Sequence, residues 1–162
     1  MSIKIGDTIP AATLRRLTAD GIEEVQAHEF CYDRKVVIFA LPGAFTPPCS
    51  NEHMPSFIEN ADAIKAKGVD EIACVAVNDP FVMDAWNKAT GAEGKVTLLS
   101  DGNCEFTKEI GMDFEGLGLG FGTRSKRYAM VVENGKVTAL EVEESPGECT
   151  VSSGSKLLES LT

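Results

Sequence analysis

The chain has 162 residues, of which 43% are apolar and 25% charged, a length and a composition that fit one globular domain spanning 1–162. Its 15 basic residues face 25 acidic ones, a formal net charge of -10, which favours solubility and argues against a nucleic-acid partner. The N-terminus "MSIKIGDTIP" lacks the apolar core of a signal peptide and no run approaches bilayer-spanning length, so the expectation is a soluble cytoplasmic protein with no membrane partner.

Weak extended pieces precede Phe30, and the first strong strand signal is the β-branched, apolar run Val36 to Leu41. After a proline-rich turn, Met54, Phe57, Ile58, Ala61 and Ile64 recur on one helical face, which predicts a long helix ending near Gly68 and kinked at Pro55. A strand follows at Ile72 to Val77, then a helix capped by Asp79 and running through Trp86. Next come a strand at Val96 to Leu99 and a helix capped by Asp101 that ends before Gly111.

The glycine-rich "EGLGLGFGTRS" (Glu115 to Ser125) reads as a flexible segment. It fails the G-x-G-x-x-G spacing and leads into a strand, which argues against a dinucleotide site. Strands at Tyr128 to Glu133 and Lys136 to Val142 flank Asn134-Gly135, a two-residue hairpin signal, and a last helix starts at Ser152 or Ser153 and runs through Leu161. Alternation followed by a hairpin predicts an α/β fold: a central mixed β-sheet with helices on both faces, its parallel part built from right-handed crossovers.

Chemistry is confined to the thiols. The two histidines, His28 and His53, are too few and too far apart for a histidine-rich metal site, and no P-loop or G-x-S-x-G pattern occurs. Five cysteines are present without any C-x-x-C, which argues against a zinc ribbon or a thioredoxin-type dithiol and fits a reducing compartment. Cys74, inside "IACVAV", reads as a small buried hydrophobe.

Cys49 differs, because "PGAFTPPCS" (Pro42 to Ser50) sets it where a strand hands over to a helix. Pro47 and Pro48 are tolerated only in a first helical turn, which makes Thr46 the N-cap and places Cys49 among unpaired backbone N–H groups that favour a thiolate. The residues alone leave two readings open: a reactive thiolate, or a half-buried cysteine in a proline-rich turn. "TRSKRYAMVV" offers Arg124, Lys126 and Arg127 as cations, and these lie near Cys49 only if their strand runs antiparallel to the one ending at Leu41. His53, four residues after Cys49, either tunes the site or is a solvated or packing histidine, the latter preferred.

The P-G-A-F-T-P-x-C-S motif, with Pro42, Thr46 and Cys49 in a P-x-x-x-T-x-x-C frame, resembles the active-site loop of peroxiredoxins. "AVNDPFVMDAW" (Ala76 to Trp86) and "RSKRYAMVV" (Arg124 to Val132) are similar to their type II, peroxiredoxin-five-like subfamily in the expected order. The resemblance implies a thioredoxin-like fold and a thiol peroxidase that needs no metal, heme or flavin. Its substrates would be hydrogen peroxide and alkyl hydroperoxides, and its reductant glutathione, glutaredoxin or thioredoxin.

Carried over by position, Cys49 is the peroxidatic cysteine, Thr46 the hydroxyl that bonds sulfur and peroxide, Pro42 the shield of the pocket and Arg127 the cation. Arg127 is preferred to Arg124 because the catalytic arginine of similar sequences immediately precedes the aromatic that opens the strand. The resemblance also implies a homodimer. Cys149 lies near the place of a C-terminal resolving cysteine but out of register, and Cys74 is in register with a cysteine of similar proteins yet buried, so the expectation is a one-cysteine mechanism. The rival from another class is a non-enzymatic redox sensor or binding module, separated from the enzyme by steady turnover of peroxide with a thiol donor.

Overall fold

The computed structural model describes residues 2–47, 52–145 and 147–161. Strands β1 (Thr13–Thr18) and β2 (Gly21–Gln26) form an antiparallel hairpin, followed by a short helix α1 (Ala27–Phe30) and β3 (Lys35–Ala40). Then alternate α2 (Met54–Lys65), β4 (Glu71–Ala76), α3 (Pro80–Thr90), β5 (Thr97–Ser100) and α4 (Glu105–Glu109). Two short strands, β6 (Asp113–Glu115) and β7 (Thr123–Ser125), enclose a 3-10 turn at Leu117–Leu119, and β8 (Tyr128–Glu133), β9 (Lys136–Val142) and α5 (Gly154–Ser160) complete the chain.

The main sheet has seven strands in the order β2-β1-β5-β4-β3-β8-β9, parallel between β3, β4 and β5 and antiparallel elsewhere, as the strand and hairpin pattern predicts. The central strands β3, β4 and β8 read as unbroken apolar runs because both faces of the sheet are covered. Val37, Phe39, Ile72, Cys74, Ala129 and Val131 meet Met54, Phe57, Ala61 and Ile64 of α2, Trp86 of α3 and Leu157 of α5. The alternate residues Val36, Ile38, Ala73, Val75, Tyr128 and Met130 meet Ala27, Phe106 and Ile110 on the opposite face.

Local chemistry sets the element ends. Asn134 (φ 48°) and Gly135 (φ 80°) take the left-handed conformations that a two-residue hairpin demands. Asp79 caps α3 by accepting the N–H groups of Phe81 and Val82, and the helix runs to Thr90 rather than Trp86, closed by Gly91 in the left-handed region. Asp101 accepts the N–H groups of Phe106 and Thr107, but α4 itself opens after Cys104. Ser153, not Ser152, caps α5.

Two expectations are corrected. Pro55, expected to kink the helix, sits in the first turn of α2, where a proline costs no hydrogen bond, and π-helical backbone at Glu52 and His53 precedes it. The glycine-rich segment is a paired ribbon, with Asp113↔Ser125, Phe114↔Arg124 and Glu115↔Thr123 in register. Strands of three residues are too short for hydrophobic alternation to announce them.

Candidate active site

Contacts from the exit of β4 and from Arg124 hold the loop after β3. The Ala44 N–H donates to Asn78 Oδ1 at 2.9 Å, tying the loop to the exit of β4. From the other side, Arg124 donates through Nη1 to the Pro42 carbonyl at 3.0 Å and through Nε to the Phe121 carbonyl at 2.9 Å. A Cβ on Gly43 would collide with that Nη1, so glycine is what admits the guanidinium. Phe45 stands at φ 66°, a left-handed conformation costly for an aromatic residue, and leaves its ring 54% exposed.

Thr46 lies half-buried at the end of this loop, and helical backbone begins at Pro47. Its hydroxyl donates to the Gly43 carbonyl at 2.7 Å. With that proton committed, Oγ1 presents lone pairs to the site and acts as an acceptor. Cys49 and Pro48 lie outside the described residues, as does the cap that Thr46 would make to the following turn.

Arg127 immediately precedes β8, and β8 runs antiparallel to β3 with Ala40↔Tyr128 in register. The condition set by the sequence is therefore met: the head of β8 stands beside the end of β3 and its loop. The Arg127 side chain is only 1% exposed, a burial that a guanidinium tolerates only when its donors are satisfied. Its Nη1 meets His53 Nδ1 at 3.0 Å.

His53 is fully buried and is no solvated residue. Its Nε2 meets the Ser152 carbonyl at 2.9 Å, and its ring leans at 54° on Phe39 and Phe57, which stack on each other at 3.9 Å. Burial, reinforced by the Arg127 charge, pushes its pKa down to about 3, so the imidazole is neutral at physiological pH. A carbonyl only accepts, which puts the proton on Nε2 and leaves Nδ1 to receive the Arg127 N–H.

Behind this pair lies Glu143, 6% exposed. Its carboxylate accepts the backbone and hydroxyl donors of Thr150 (2.8 and 2.9 Å) and of Ser152 (2.8 and 2.6 Å). Burial alone would raise its pKa, but these bonds from Ser152 and Thr150 outweigh it and hold the carboxyl below the ordinary range. Nothing in the local sequence marks Glu143 or Ser152, since their importance arises only where the segment after β9 folds back.

A cavity of about 400 Å³ is lined by Pro42, Thr46, Pro47 and Arg127 together with Phe114, Leu119 and Phe121 of the β6–β7 ribbon and with Ser145 and Gly147. Three of the sequence candidates, Pro42, Thr46 and Arg127, are thus brought together in an apolar pocket with one buried cation. The aromatic wall was hidden from sequence reading because its residues belong to the unforeseen ribbon. Cys74 is fully buried in β4, and Cys149 is half-buried in the segment that Glu143 clasps. Burial pushes the thiols of Cys31 and Cys104 up to about 11, which leaves them protonated and unreactive.

The sequence model of the Redoxin family matches residues 4–158. The chain is 48% identical over 165 residues to peroxiredoxin-2E-2, chloroplastic, of Oryza sativa subsp. japonica, an alignment covering 99% of this chain and 73% of that protein. Peroxiredoxin-2C of the same organism is 42% identical over 160 residues, covering 98% of each chain. The crystal structure of reduced Prx3 from Vibrio vulnificus in complex with hydrogen peroxide superposes with a TM-score of 0.94 at 48% identity, covering 99% of both chains.

Proposed function

Because the chain belongs to the redoxin family and within it to the peroxiredoxins, thiol-dependent peroxidases with a thioredoxin-like fold, we propose that Cys49 is its peroxidatic cysteine and that Thr46, Pro42 and Arg127 complete the site. The observation that carries this reading is the buried Arg127 guanidinium lining an apolar pocket with Pro42 and Thr46, the latter three residues before Cys49 in the sequence.

The Cys49 thiolate attacks one peroxide oxygen in line with the O–O bond. The S–O bond forms as the O–O bond breaks, and the departing oxygen takes the electron pair and a proton to leave as water or an alcohol. Arg127 stabilises the thiolate and then the charge that moves onto the departing oxygen. Thr46 Oγ1, its own proton given to Gly43, accepts the O–H of the bound hydroperoxide and so fixes which oxygen meets sulfur. Pro42 covers the pocket and has no N–H to compete for the peroxide.

Cys49 sulfenic acid then condenses with an external thiol, releasing water, and a second thiol liberates Cys49 as its thiolate with formation of an external disulfide. Glutathione, glutaredoxin or thioredoxin is the proposed reductant. The apolar wall of Phe114, Leu119 and Phe121 suits alkyl hydroperoxides alongside hydrogen peroxide. The reading is a one-cysteine mechanism: Cys74 is fully buried in the core between β4 and α2, and Cys149 lies in a segment whose neighbours Thr150 and Ser152 are clasped by Glu143. Cysteines without a C-x-x-C accord with a reducing compartment, and the cytoplasm is the proposed one.

The test is peroxide consumption with each reductant. Cys49→Ser should abolish it while Cys149→Ser and Cys74→Ser retain it, because an alcohol near pH 7 is not a comparable nucleophile. After one equivalent of peroxide, mass spectrometry should find Cys49 sulfenic acid, or its glutathione adduct. A quantitative intrachain Cys49–Cys149 or Cys49–Cys74 disulfide would overturn the one-cysteine reading, and an active Cys49→Ser would overturn the assignment itself.

A further inference from the structure

Hydrogen bonds around Arg127 close on themselves. Arg127 Nη1 donates to His53 Nδ1, His53 Nε2 donates to the Ser152 carbonyl, Ser152 donates its N–H and hydroxyl to the Glu143 carboxylate, and the Glu143 N–H donates to the Arg127 carbonyl at 2.9 Å. All run head to tail. The circuit joins the head of β8, the start of α2, the end of β9 and the residue before the α5 cap, and Ser152, His53 and Arg127 are each at most 1% exposed.

We propose that this ring is the positioning device of the peroxidatic site, with His53 as a deliberately uncharged link that aims the Arg127 guanidinium at Cys49 without neutralising it. The inference rests on the assignment of Cys49 and Arg127 above. A carboxylate at the place of the imidazole would also accept from the guanidinium, but an opposite charge within about 4 Å would draw the field away from the thiolate. A neutral imidazole orients and leaves the full positive charge available. The negative charge of the ring stands two hydrogen bonds beyond the imidazole, on Glu143, where it is saturated by donors from Thr150 and Ser152.

Two features support positioning over mere packing. The imidazole has a single workable tautomer, because its neighbours are an obligate acceptor at Nε2 and an obligate donor at Nδ1. Its plane is set by Phe39 and Phe57, so the direction of the Nδ1 lone pair is fixed as well. The charged groups facing the ring are Arg127 and Glu143, and burial with the Arg127 charge keeps the imidazole from titrating in the working range.

The experiment measures the second-order rate constant with hydrogen peroxide and the Cys49 thiolate pKa, the latter from the pH dependence of iodoacetamide alkylation located to Cys49 by mass spectrometry. His53→Leu should lower the rate about 10- to 100-fold, the scale of a slightly misplaced catalytic group, and raise the Cys49 pKa. His53→Gln, whose one amide both donates and accepts, should recover the rate to within about threefold of the wild type. His53→Glu should raise the Cys49 pKa above that of the Gln variant, although the hydrogen bond to Arg127 is kept. A His53→Leu protein within about twofold of wild type with an unchanged Cys49 pKa, or a Gln variant as slow as Leu, would overturn the proposal. Should His53→Leu fail to fold, Glu143→Gln reads the same ring from its far side: a rate reduced by at least about threefold supports it, and an unchanged rate and pKa overturn it. An active Cys49→Ser protein would instead remove the peroxidatic reading beneath it.

Discussion

Arg124 and Arg127 both reach the loop after β3, yet they meet different atoms. Arg124 gives its donors to the carbonyls of Pro42 and Phe121 and lies over the Phe121 ring, so it shapes the loop and the aromatic wall. Arg127 is buried, lines the pocket and is oriented by His53. Arg127→Ala should therefore cut the peroxide rate about 100- to 1000-fold, the loss expected of a preorganised transition-state donor, whereas Arg124→Ala should cost about tenfold or less. Stopped-flow rates for the two variants decide it, and equal losses would refute the division of roles. Arg127 was accessible to sequence reading through its place before Tyr128. For His53 the sequence leaves a tuning and a merely structural reading both open, because its ring nitrogens meet partners 99 and 74 residues away, a distance at which no local pattern carries information.

Among the elements, those most legible in the sequence are those whose burial imposes a pattern. β8 and β9 have the boundaries that hydrophobicity and Asn134-Gly135 predict, and the face of α2 is the one set by Met54, Phe57, Ala61 and Ile64. Where a contact between distant elements decides the conformation, the sequence is silent. Gly154, the first residue of α5, is such a place: it reads as an unremarkable glycine after a serine cap, but an added Cβ would collide with the Ser56 carbonyl of α2. The Gly154 N–H also donates to Ser56 Oγ at 2.9 Å, so the two helices touch backbone to side chain there. Gly154→Ala should force α5 away from α2 and destabilise the fold by about 1 to 3 kcal/mol. For a chain of this length that lowers the melting temperature by roughly 2 to 4 °C per kcal/mol, and an unshifted melting curve would show that α5 yields at no cost. Because Ser152 precedes this helix and belongs to the ring behind Arg127, the same substitution should also slow peroxide turnover, which a purely local strain would not do.

Across the whole molecule, apolar surface is left uncovered on the β6–β7 ribbon and on the loop after β3. Leu117 and Leu119 are 72% and 73% exposed at the tip of the β6–β7 ribbon, and Phe45 stands out from the loop that carries Thr46. Three of the eight large apolar side chains exposed among the described residues thus lie on the ribbon and on the loop after β3, which makes these two segments candidates for a covered surface. We propose that a homodimer would supply that cover, a second copy seated on the ribbon shielding Leu117 and Leu119. Such a contact would also support a two-stranded ribbon outside the main sheet, of a kind that is marginal alone. A stable interface needs about 800 Å² from each partner, more than these side chains provide, so the contact must extend onto the neighbouring loop around Phe45. Leu117→Glu places a charge at the tip without touching the residues that line the pocket, and it should shift the protein from dimer to monomer in sedimentation velocity at micromolar concentration. A wild-type chain that sediments only as monomer would refute the dimer and leave the peroxidase chemistry standing, since Pro42, Thr46, Cys49 and Arg127 all belong to one chain.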